Sequence, residues 1–261
     1  MQPRIIITTT LTPMDMPMAM PERIGQAQAA SAADGMRLLA RLLQFSDSTL
    51  PVGSFAFSNG LESAVQTGIV ASPDDLLGFV EVVTRQAAYM DGVAALHAHR
   101  AISQGDFGAV LEADQALWDS RIGAEQHLML ARMGKKLAEL ALRFDDFPAL
   151  RQWLEAIRDH ATPGCFPVGQ ALALAHLGAD EAQVFVVHQY SVAAMMLSAA
   201  VRLMRIDHLD TQRILYAAQE RVPGDYENVR TLTLDEMSNF APVFDVLLAH
   251  HVKAHVRLFM N

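Results

Sequence analysis

Hydrophobic periodicity restricts this chain more than any other feature. From Met36 to Glu220, apolar residues return at three- and four-residue intervals, and no stretch alternates apolar with polar for the length of a strand. That pattern predicts an all-α protein, a single-domain helical bundle of about eight to ten helices. In Met36–Phe45, Leu38, Leu39, Leu42 and Leu43 form one stripe. Ser72 and Pro73 open a long helix with a cap and a first-turn proline, and Phe79, Val82, Val83, Gln86, Met90, Val93 and His97 carry it forward. Further helices are expected over 107–126, 127–142, 148–160, 170–177, 180–204 and 207–220. Ala161–Gly169 holds two prolines and two glycines and must interrupt them, at a length that suits a loop inside one domain.

The most apolar run, Val184–Val201, contains His188 and Gln189 and is flanked by charge. It falls short of the roughly 20 apolar residues of a membrane span, so it reads as a helix buried on nearly all sides. Residues 1–34, rich in Met, Pro and Ala, read as a disordered leader, and 35–261 as the helical domain. Met14, Met16, Met18 and Met20 belong to that leader and are not taken as a soft-metal site. A net charge of −9 argues against nucleic-acid binding, which needs a basic footprint. The single cysteine, Cys165, excludes an intrachain disulfide and makes a reducing, cytoplasmic setting the default.

The stretch LPVGSFAFSNGLE, Leu50–Glu62, has the glycines of a phosphate loop but not its lysine, since none occurs before Lys135. It reads as packing. A helix starting near Ser54 would align Phe57, Leu61 and Val65 on one stripe, with Ala56, Gly60 and Ala64 as a small-residue stripe beside it.

Leu42–Val70, with LLQ, LPVGSF, FSNGLE and AV in order, resembles the N-terminal signature of the UreF family of urease accessory proteins. Asp91, then Arg100, Ala101 and Asp106, the pair Met133 and Gly134, the run Tyr190–Arg213, and His251, Arg257, Leu258 and Phe259 extend the resemblance over about 36–261. Two regions depart from the pattern. Arg205, Ile206, Asp207, His208, Thr211 and Gln212 replace a PLGQ turn and its following GQ, and Val252, Met260 and Asn261 replace a glutamate and a terminal arginine and serine. The resemblance implies a non-enzymatic scaffold that dimerises, joins a UreD/UreH-type protein, and recruits the nickel-carrying UreG-type GTPase to apo-urease. A UreF-like paralogue serving a different partner is the second reading, and the altered loop is its support.

On this resemblance Arg205, Asp207, His208, Gln212, Arg213, His251, His255, Arg257, Leu258 and Phe259 are expected to meet partners, while Gly53, Phe57, Gly60, Leu61 and Glu62 support them. No catalytic residue, cofactor or metal site is expected. His251 and His255 share one face of a C-terminal helix and could offer two ligands, but nothing local completes a set. Cys165 sits in a loop that could expose it, with His160 as the nearest base. Arg100 and Arg202, embedded in apolar helices, either pair with an internal carboxylate such as Asp91 or reach a partner.

Overall fold

The computed structural model describes residues 21–238, 241, 246, 247, 258 and 259. The chain divides into two compact units, Met1–Arg37 and Leu38–Asn261. Helix α1 (Pro21–Ser46) begins within the stretch read as leader, and residues 1–20 lie outside the described residues.

Among the described residues every regular element of the second unit is helical, as the periodicity predicts. After α1 come α2 (Leu61–Gln66), α3 (Pro73–Ala87) and α4 (Val93–Ser103), then α5 (Phe107–Asp119), α6 (Ala124–Ala141) and α7 (Pro148–Arg158). The order ends with α8 (Phe166–His176), α9 (Glu181–Leu203), α10 (His208–Gln219) and α11 (Val222–Val229). A π-helical turn, Ala88–Gly92, joins α3 to α4, so the expected long helix is continuous but locally widened. Caps fix several starts. The Ser72 hydroxyl accepts from Asp75 N while the Asp75 carboxylate accepts from Ser72 N, and Asp180 with Gln183 does the same for α9.

Helix α9 is the shared spine. Val184, Val187 and Met195 pack into a core with α4–α8, and Val192, Ala193, Met196, Leu197, Ala199 and Ala200 pack into a second core with α2, α3 and α10. By length and composition α9 could cross a membrane, yet 67% of its apolar stretch is buried inside the protein. Close approach is enforced at Gly134, where an added Cβ would lie 2.1 Å from the Gly164 carbonyl oxygen.

Several expectations are corrected. The opening stretch is not one helix from Ser54: a short 3-10 turn, Ser54–Ala56, is followed by an extended Phe57. Gly60 therefore stands before α2 rather than inside a helix, and with Gly53 it turns the chain at positive φ, +74° and +94°. The span 107–126 is broken at Ser120–Gly123, where Arg121 leaves the helix and pairs with Asp91. Arg100 does not pair with Asp91; its guanidinium donates to both Glu181 oxygens, at 3.0 and 2.6 Å. Cys165 is buried, not exposed, and burial pushes its thiol pKa well up. The buried Asp114 carboxylate gathers its loop, accepting from Trp153 Nε1, Thr162 Oγ1, Gly164 N and Cys165 N. Such a thiol has no nucleophilic character at neutral pH. Helix α11 has no clear signal in the periodicity, because only eight residues carry it.

Candidate functional site

Of the expected supports, Glu62 and Leu61 lie against residues 258 and 259. Asn59 and Gly60, both at positive φ, turn the backbone so that α2 starts at Leu61 and buries Glu62. The Glu62 carboxylate then accepts from Leu258 N at 2.8 Å and from Phe259 N at 3.0 Å. Two backbone donors on one buried carboxylate form a charge-assisted clamp across nearly the whole sequence. Phe259, only 6% exposed, enters the second core beside Leu61 and Ala64, whereas Leu258 is 70% exposed. Phe57 is buried in the first core, so the Phe57–Leu61 stretch bridges the two.

Arg202 completes the arrangement. Its guanidinium carbon lies 3.7 Å from the Phe55 ring centre and 4.2 Å from that of Phe259, and Nη1 donates to the Phe55 carbonyl at 3.1 Å. Among the described residues it pairs with no carboxylate; it is sandwiched between aromatic faces, and burial lowers its pKa. Phe55 is itself largely exposed, a contact that the sequence did not single out. No spacing rule could have found it, because the pairing spans a loop and the far end of α9.

The altered loop flanks the same core, since Leu203, Met204 and Ile206 pack against the cluster that holds Phe259. Asp207 acts within its own helix, capping α10 by accepting from Asp210 N at 2.9 Å. Arg205, His208, Gln212 and Arg213 are exposed. Beside them, Leu209 and Tyr216 lie exposed on the outward face of α10, opposite the buried Thr211, Ile214, Leu215 and Ala218. That second apolar face was legible as an i, i+7 pair, but it was masked by the stronger inward stripe. His251, His255 and Arg257 lie outside the described residues, as does the expected helix that carries them. Among the described residues no group of three His, Cys, Asp or Glu side chains is placed to hold a metal ion.

A helical body that anchors its own chain end and displays apolar and basic side chains beside it is a protein-docking module. The UreF family model matches residues 70–219. The chain is 46% identical over 223 residues to the urease accessory protein UreF of Yersinia enterocolitica, covering 85% of this chain and 98% of that protein. The UreF proteins of Yersinia pseudotuberculosis and Yersinia pestis match at the same identity and coverage. The chain belongs to the UreF family.

Proposed function

We propose that this chain is a non-catalytic urease accessory protein that scaffolds the nickel-delivering UreG-type GTPase onto apo-urease, together with a UreD/UreH-type protein. Nickel is cargo in this reading, and the chemistry belongs to the partners. The observation that carries the reading, beside family membership, is the Glu62 clamp. It fixes Phe259 inward and leaves Leu258 outward, so the chain end is presented to a partner in a set register. The exposed Arg205, His208, Gln212 and Arg213 extend that face, and His251, His255 and Arg257 are assigned to it as well. We further assign the protein to the cytoplasm, as a homodimer.

The test is size-exclusion chromatography with light scattering on mixtures with UreD/UreH-type and UreG-type proteins, comparing Arg257→Ala and Leu258→Asp with the unaltered chain. A ternary complex that weakens in both variants supports the assignment. Separate elution under every nucleotide and nickel condition would sink it and turn attention to another partner for the 205–213 loop.

A further inference from the structure

A buried histidine in the middle of α9 has an acceptor in front of each ring nitrogen. His188, its side chain only 3% exposed, places Nδ1 3.1 Å from Gln170 Oε1 on α8 and Nε2 3.8 Å from Asp91 Oδ2 on the π-helical turn. Neighbours fix which way Gln170 points. Ser191 Oγ donates to the Val187 carbonyl at 2.8 Å, so it accepts from the Gln170 amide nitrogen at 3.4 Å and leaves Oε1 to face the ring. On the other side, burial pushes the Asp91 carboxyl up, but the Arg121 charge and His188 bring it down to about 2 and keep it ionised. A neutral imidazole has one donor and one acceptor, and Gln170 takes the donor. The remaining lone pair would then oppose a carboxylate, whereas the imidazolium donates to both neighbours.

The surrounding charges favour that second proton. Arg121, from the loop after α5, donates to Asp91 Oδ1 and leaves Oδ2 to His188. Asp114 of α5 is buried beyond Cys165, and its donors Trp153, Thr162, Gly164 and Cys165 are all neutral. Besides burial, the charges of Asp114, Asp91 and Arg121 all reach the Cys165 thiol, so two carboxylates share this part of the core with one guanidinium. Elsewhere around the adjoining cavity, of about 70 Å³, α3 and α6 present the neutral Gln86 and Gln126, and the loop after α1 presents Asp47, exposed and accepting from Thr49 N. A separation of 3.8 Å leaves no place for a bridging water, so a neutral ring and Asp91 must draw apart into that cavity.

We propose that His188 is a proton-operated latch that joins α9 to the π-helical turn. With the second ring proton it donates to Gln170 Oε1 and Asp91 Oδ2 together, and α8, α9 and the turn are held as one. Without it the Asp91 link is lost, and the turn, where the ladder from α3 to α4 departs from α-helical geometry, is free to move. Such turns are frequent at functional sites. The latch closes as pH falls and opens as pH rises. It goes beyond the scaffolding role and does not depend on it.

The full chain is followed between about pH 5 and 8 by NMR of its histidine ring nitrogens and by amide hydrogen exchange corrected for the intrinsic effect of pH. As pH rises, His188 is expected to pass from two protonated ring nitrogens to one, and protection of Ala88–Gly92 to fall about tenfold with it, while α7, which does not line the cavity, keeps its own. Asp91→Asn, whose amide donates to the neutral ring, is expected to make protection of the turn independent of pH. Should that variant not fold, the two signals in the unaltered chain still decide. A ring that keeps one protonation state throughout, or one that titrates without a change in the turn, would overturn the latch. An equal loss in the turn and in α7 would overturn it as well, since the effect would then be global, and a persisting pH dependence in Asp91→Asn would remove Asp91 as the partner.

Discussion

Glu62 shows how much one side chain can organise. It ties two residues at the end of the chain to a helix near its start, and its removal leaves two backbone N–H groups without their acceptor. Hydrogen bonds to charged groups are worth about 1.5–3 kcal/mol each. Glu62→Ala is therefore expected to cost about 3–6 kcal/mol in urea unfolding, and Glu62→Gln, which keeps one acceptor oxygen, clearly less. Equal losses in the two variants would show that a neutral acceptor recovers nothing and that the clamp depends wholly on the charged carboxylate. Asp91 makes a different demand. Burial pushes its pKa up, but the Arg121 charge, with His188 beside it, outweighs burial and brings the carboxyl down to about 2. Because the folded pKa lies below the ordinary value of 3.8, this stabilisation is complete above that range and is lost as pH falls through about 2. The loss is on the order of 2 kcal/mol. Denaturant unfolding at stepped pH below about 4 should show it, and Asp91→Asn should flatten the slope there while lowering stability at neutral pH.

At the scale of elements, α10 turns one face to the second core and the other to solvent, and the proposed docking role falls on the solvent face. Its inward residues Thr211, Ile214, Leu215 and Ala218 hold it to the second core, and Asp207 caps it. Asp207→Ala is expected to cost about 1 kcal/mol. Leu209→Glu and Tyr216→Ala, both on the exposed face, should alter stability by no more than about 0.5 kcal/mol yet weaken the complex measured by light scattering. A large stability loss in either would mean that the outward face is packed within the protein itself. The helices were legible because amphipathic periodicity and capping chemistry are local: Ser72 with Asp75 marks its terminus in the sequence alone. Breaks set by distant partners were not legible. Helix α5 stops early because Arg121 is drawn to Asp91, thirty positions back, and the Phe57–Leu61 turn exists because Glu62 must face residues 258 and 259. Cys165 misled for the same reason, since a loop rich in proline and glycine reads as open until Asp114, from another helix, is seen to gather it.

At the scale of the whole molecule, α9 joins the two larger cores of the described residues, and this sets how a change at the chain end should propagate. The N-terminal half of α9 serves the core with α4–α8, and most of its C-terminal half serves the core that receives Phe259. Cutting the chain after residue 257 removes Phe259 from that second core, the aromatic partner on one face of Arg202, and both donors to Glu62. Hydrogen exchange reports local opening region by region, so the truncation should be visible as a pattern and not merely as a lower midpoint. Protection is expected to fall in α2, in α10 and in the last turns of α9, while α4, α8 and the first turns of α9 keep theirs. A uniform loss across all helices would show that the two cores open as one unit. In that case the chain end would govern the stability of the entire fold, and weakened docking after truncation would no longer report on the partner surface alone.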